Sequence, residues 1–311
     1  MTFSATDSAF EGFRLVRRNP IAVVGWTLVY LVYTLATLFA AGGMMRSMAV
    51  WMEQMEALEA GPPPSSPEAL IPIMESYVAA MSHMAWAIPL SLVISAVLMA
   101  AIARAVLNPG AGGFGYMRLG MDEVRVFVVT LVIAILYCLA ATIAFVAALV
   151  VGGIAIGFMH GWGALVMLAT VLAAIAFVIW LGVRWSLAVP ITIDQQRFAF
   201  FDSFAATKGH FWPLLGMAVI ALVMVILVTL LAGIVTMPLN MMGGMSMLGS
   251  MAGDPTEMLR NFDPTNPWII ASSVVSAFIY ALTVAVLYAP FSAAYRDIKG
   301  GGSQPAAEIL G

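Results

Sequence analysis

Few side chains in this sequence could do chemistry, and most of them are cations at the edges of apolar stretches. Arg104 precedes Pro109 and Arg184 precedes Pro190, each at the close of a long apolar run. A guanidinium placed there can bind a lipid phosphate or a substrate anion, because basic pockets between helices suit phosphate head groups. Arg17 and Lys208 stand shortly before two other apolar runs and extend the same candidate anion set. The plainer alternative, that these side chains snorkel to an interface and only fix helix depth, outweighs the functional one for Arg104 and Arg184.

Other constellations are weaker. The chain has 23 methionines, many between the apolar runs, and soft thioethers select Cu(I). Met241 and Met245 with His83 are therefore a weak metal candidate. No apolar run carries an intramembrane Cys or Met pair at ligand spacing along one helix, and Met also packs irregular apolar surface, so no metal or other cofactor is expected. Ser272, Ser276, Tyr280 and Thr283 fall on one helical face of the last run and could line a solute path, although hydrogen bonding between helices is the favoured role. Arg118, Asp122, Glu123 and Arg125 read as a solvated cluster in which Asp122 and Arg125, three apart, can pair. No Asp, Glu, Lys or His falls in the middle of an apolar run, where coupled transporters keep ionisable groups. Walker, HExxH, nucleophile-elbow and CxxC patterns are missing. No catalytic residue is assigned, and a non-enzyme is expected.

The elements that must position these residues are membrane helices. Apolar residues make up 62% and charged residues 9% of the chain, against roughly 25% charged in soluble domains. Six stretches reach the ~20 residues a spanning helix needs: 20–42, 85–107, 126–151, 162–189, 212–236 and 268–291. The expected fold is all-α and polytopic. If the N-terminus is cytoplasmic, that side holds Arg14, Arg17, Arg18, Arg104, Arg118, Arg125, Arg184, Arg197, Lys208, Arg296 and Lys299, and the other side only Arg46 and Arg260. This bias places both termini in the cytoplasm. The first apolar run is too long for a signal peptide, so it is expected to stay in the protein.

Along the chain, residues 3–18 place Phe3, Ala9, Phe10, Phe13 and Val16 on one helical face and Asp7, Glu11, Arg14 and Arg18 largely on the other, as in a helix lying on the inner leaflet. Ser4 with Asp7, or Ser8 with Glu11, can form its capping box. Phe10, Glu11, Gly12, Phe13, Arg17 and Gly25 align without a gap on Phe201, Asp202, Ser203, Phe204, Lys208 and Gly216. A weaker third copy matches Phe114, Met117, Arg118 and Leu119 to Phe10, Phe13, Arg14 and Leu15. Three units follow, each an interfacial helix and a spanning hairpin, with Phe10, Phe13, Phe201, Phe204 and Trp212 as interfacial anchors. Pro109, Pro190 and Pro290 are expected to break the even-numbered helices. Residues 43–84 should form an outer helical cap with a turn at Gly61 to Pro64, residues 152–163 a short glycine-rich loop, and residues 300–311 a disordered tail. Gly153 and Gly157, Ala96 and Ala100, and Ala144 and Ala148 are expected close-packing positions.

The run Arg184, Pro190, Ser203, Phe204, Lys208, Gly209, Phe211 and Trp212 resembles a bacterial integral membrane family. It is similar to the membrane domain attached to some glycerophosphoryl diester phosphodiesterases, which also occurs alone in the inner membrane. The resemblance would cover about residues 8–298. Those enzymes keep their His, Glu and metal in a soluble barrel with no counterpart here, so no catalytic residue is carried over. The expected function is a non-enzymatic, lipid-interacting accessory or scaffolding protein of the bacterial inner membrane. Its expected partners are anionic phospholipid and a membrane protein, not nucleic acid. The alternative is a transporter or channel for a small apolar solute or copper, and an enzyme acting on lipid head groups through Arg184 and Asp202 stands third.

Overall fold

The computed structural model describes residues 4–61, 66–111, 113–242 and 262–301. Among these the chain is helical and contains no strand. Six helices are long and apolar enough to cross a membrane, which makes this an all-α polytopic membrane protein. The elements are α1 (Ala5–Ala9), α2 (Glu11–Arg18), α3 (Pro20–Ala60), α4 (Ile71–Ser82), α5 (Ala87–Leu107), α6 (Met121–Met159), α7 (Gly163–Trp185), α8 (Ala188–Gln195), α9 (Asp202–Ala206), α10 (Phe211–Met242) and α11 (Pro267–Gly301). The 41 residues of α3 extend ~60 Å at 1.5 Å per residue, about twice the hydrocarbon thickness. The chain divides into two compact units.

The first unit comprises Met1–Asn19, Ala96–Met224 and Val284–Gly311. One core cluster joins Ala9, Val183, Leu187, Ile191, Leu214, Met217, Ala294 and Tyr295. A second joins Ala96, Ala100, Ala103, Val126 and Ile193. The N-terminal segment differs from a single leaflet-lying helix. Ser4 caps α1 by accepting from the Asp7 N–H, the helix breaks at Phe10, and α2 restarts at Glu11. Its buried face is Ser8, Ala9, Glu11, Gly12 and Leu15, while Phe10 and Phe13 stay exposed. The rotation follows from Gly12, where an added Cβ would lie 2.5 Å from Val286 Cα and 2.8 Å from Ala285 O. Backbone meets backbone there, and Glu11, expected on the polar face, is buried and ion-paired with Arg14 (2.9 Å).

Further expectations are corrected in this unit. The weaker third copy of the interfacial helix is a 3₁₀ turn at Phe114–Tyr116, because Gly113, Gly115 and Tyr116 have positive φ and cannot continue an α-helix. Pro290 does not end its helix: α11 continues to Gly301, with Ala293, Ala294 and Tyr295 buried and Tyr295 and Lys299 both bonded to Asp194 (2.8 and 2.6 Å). Pro190 sits in the first turn of α8, where a missing N–H costs little. The expected loop at 152–163 is largely helix, since α6 runs to Met159. The close approach there is made by Gly152, whose Cβ would fall 2.9 Å from Met167 Cα, and by Gly163, whose Cβ would fall 2.5 Å from Ala155 O; Gly153 and Gly157 face open space.

The second unit comprises Pro20–Ser95 and Val225–Thr283. Here α4 packs on the extension of α3 through Trp51 against Tyr77 (5.8 Å) and a hydrogen bond from the Ser76 hydroxyl to Gln54 (2.7 Å). His83 lies over Gly43, and Pro264 meets Gly42. Asn266 caps α11 by accepting from the Trp268 N–H (3.0 Å), with Pro267 opening the helix. Residues 62–65 of the expected turn, and residues 302–311 of the expected tail, lie outside the described residues.

Candidate functional site

The site is built where α7 ends and α9 folds back. Ser203 is fully buried, and its hydroxyl accepts from the Leu187 N–H (3.1 Å), tying α9 to the chain just beyond α7. The Thr207 hydroxyl donates to Ser203 O (2.8 Å), which fixes its lone pairs, and Gly209 at φ +82° then turns the chain toward α10. Arg184, in the last turn of α7, reaches this corner: its Nη1 donates to Phe204 O (3.3 Å) and to Thr207 Oγ1 (3.2 Å).

Aromatic rings surround the guanidinium. Trp180, one turn earlier on α7, stacks beneath it at 5.5 Å from the ring centroid. Phe204 meets Trp180 and Trp185 edge-on (6.2 and 5.7 Å), Phe201 packs on Phe204 (6.2 Å), and Tyr137 closes against Trp185 (6.3 Å). Arg184 Nε is buried without a hydrogen-bond partner, and among the described residues no carboxylate pairs with this arginine. Asp202 is engaged instead by Arg197 (2.9 Å). The result is a half-buried cation with neutral partners only.

Arg104 is handled differently. It is almost fully buried and gives Nη2 to Glu123 Oε1 (2.7 Å), with Asp122 at 3.8 Å and Nη1 on the Tyr116 carbonyl. Glu123 also accepts from the Gly120 N–H (3.0 Å) as a capping box at the start of α6. The cluster expected to be solvated thus holds a buried ion pair, while Asp122 and Arg125 do pair as their spacing implies (2.8 Å). With its charge matched, Arg104 has no need of an external anion.

The remaining candidates are dispersed. Arg17 and Lys208 are exposed, as are Phe201 and Trp212. In the polar stripe the Ser272 hydroxyl bonds Ile269 O (2.9 Å), Ser276 is half-buried, Tyr280 stacks on Tyr30 (5.7 Å) and the Thr283 hydroxyl is buried without a partner. Met241 is exposed, His83 donates from Nδ1 to Ala79 O (2.7 Å), and Met245 lies outside the described residues. Sequence reasoning did not assign Trp180, Trp185 or Thr207 to the site. The i, i+4 spacing of Trp180 and Arg184 was the available signal, and nothing local marked Thr207.

The fold and this corner define a polytopic α-helical membrane protein with an aromatic-lined cation at a helix end. Comparison with family models, with curated proteins and with solved structures yields no match to this chain.

Proposed function

We propose that this protein is a non-enzymatic, lipid-interacting accessory or scaffolding component of the bacterial inner membrane that retains an anionic phospholipid at Arg184. The observation that carries the reading is the half-buried Arg184 guanidinium, stacked on Trp180 and, among the described residues, bonded to neutral oxygens with no carboxylate pair. A phosphate oxygen is the natural complement of such a group, through charge-assisted hydrogen bonds of roughly 1.5–3 kcal/mol. Exposed Phe201, Trp212 and Lys208 nearby in the chain fit the apolar and cationic anchoring of an anionic leaflet. The excess of Lys and Arg on one side supports cytoplasmic termini.

The reading includes three repeated units. Its support is that the aligned positions Gly12 and Ser203 are both buried contact points, Gly12 on the backbone of α11 and Ser203 on the chain end of α7. The Tyr116 segment is likewise tied to α5 through Arg104.

The test is native mass spectrometry of the gently extracted protein. Arg184→Gln should lower retained anionic phospholipid about tenfold, as expected from losing ~1.4 kcal/mol, while Arg184→Lys should retain part of it because the charge survives without the planar stack. An unchanged lipid complement in Arg184→Gln would overturn the proposal.

A further inference from the structure

The first unit contains a second feature, independent of the Arg184 corner in its chemistry. A cavity of 290 Å³ is framed by α5, α6, α7, α8 and α11 around Pro290, so that all three even-numbered spans contribute to its wall. Thr130, Tyr137, Trp185, Ser186, Tyr288 and Ser292 are its polar lining residues, and no lining residue is charged. The volume is about twice that of an engineered apolar cavity that binds benzene, and close to the ~300 Å³ at which ligand pockets begin.

Two wall residues are unusual. The Trp185 Nε1–H and the Thr130 hydroxyl are buried with no hydrogen-bond partner. Elsewhere in these helices Thr27, Thr192, Thr229 and Thr236 satisfy themselves on the carbonyl four residues back (2.8, 2.8, 2.8 and 2.9 Å), with Thr283 an exception. Thr130 does not, and buried indole N–H groups ordinarily find an acceptor. Buried donors without a protein partner are costly unless an acceptor reaches them.

We infer that this cavity is a binding site for an uncharged, largely apolar ligand bearing a carbonyl oxygen, which accepts from Trp185 and Thr130. The uncharged wall disfavours phosphates, carboxylates and metal cations, because none would find a countercharge. The carbonyl could belong to a free small molecule or to the ester of a membrane lipid.

The experiment uses the full-length protein in nanodiscs of ether-linked phospholipid, with fluorine NMR of 4-fluoroacetophenone and of 1-ethyl-4-fluorobenzene, which has a similar shape without the oxygen. The ketone should bind at least tenfold more tightly than the hydrocarbon. Thr130→Val, close in shape to the original, and Trp185→Phe, which removes the N–H together with one ring, should each cut that preference severalfold. If Trp185→Phe fails to fold, Thr130→Val decides alone. Equal binding of the two probes, or a preference that Thr130→Val leaves unmoved, overturns the inference. Weaker ketone binding in ester-linked than in ether-linked nanodiscs identifies a lipid ester as occupant, and equal binding in both identifies a free carbonyl compound.

Discussion

Replacing Glu123 by Gln removes the countercharge of the buried Arg104. The two side chains are 5% and 6% exposed, so neither ion has water to fall back on. Gln keeps the shape, and its single oxygen can still accept from the Gly120 N–H, so the cap of α6 survives while Arg104 loses both its countercharge and the second carboxylate oxygen it donates to. Breaking a buried pair from one side typically costs 3–5 kcal/mol. Asp122, 3.8 Å from Arg104 but shared with Arg125, offsets some of that, which places the expected loss at ~3 kcal/mol. That is roughly a hundredfold change in the folded-to-unfolded ratio. Steric trapping in bicelles measures it directly. Arg125→Ala, which removes a more exposed pair, should cost below about 1 kcal/mol. Replacing both members together, Arg104→Met with Glu123→Leu, should recover most of the loss because no orphan charge remains. A Glu123→Gln protein within ~0.5 kcal/mol of wild type would show that Arg104 is not held as a buried ion.

The other predictions concern packing and caps. Gly12→Ala should cost about 1–3 kcal/mol, since its methyl would strike the immobile backbone at Ala285 and Val286; faster tryptic cleavage at Arg17 and Arg18 reads the release, and unchanged protection argues against it. Gly216→Ala, with open space around it in α10, should be neutral or stabilising by up to ~1 kcal/mol, and a clear loss in thermal stability would contradict the packing described. Ser203→Ala should leave the buried Leu187 N–H unpartnered, at about 1–3 kcal/mol, and speed its amide exchange. Asp263, whose carboxylate is held below its ordinary pKa by the Thr265 hydroxyl and N–H, should support the entry to α11 above about pH 4 and lose that support as pH falls through the depressed folded value. Thr265 amide exchange against pH reads this, and a response that survives Asp263→Asn would refute it.

Six apolar stretches were legible because hydrocarbon tolerates little besides helix, so composition alone dictates the element type. Helix ends were not. Pro290 looks like a breaker in sequence, but the turns beyond it are held by Ala293, Ala294 and the bonds of Tyr295 and Lys299 to Asp194, a partner about a hundred residues away. Glu123 looked solvated for the same reason: its neighbours in sequence are charged, and only the fold brings Arg104 to it. The glycines at 152 and 163 were read as loop, yet they serve as contact points between antiparallel helices, which composition cannot distinguish. In the candidate site, Arg184 was visible from its place at a helix end. Its lack of a countercharge was not, because that depends on where Asp202 and Arg197 find each other.

On the three-repeat reading, the fate of one position explains why Arg184 stands apart. The first even-numbered span carries Arg104 five residues before its proline, and Glu123 neutralises it. The third carries Ala285 five residues before Pro290, and its backbone accepts the close approach of Gly12, which a long cationic side chain would obstruct. The second keeps Arg184 six residues before Pro190, with Thr207, Phe204 and Trp180 around it and, among the described residues, no paired carboxylate. Packing alone would be served by either of the other two solutions, a matched pair or a small residue. A half-buried cation with neutral neighbours is the costlier arrangement, and an external anion is what would offset it.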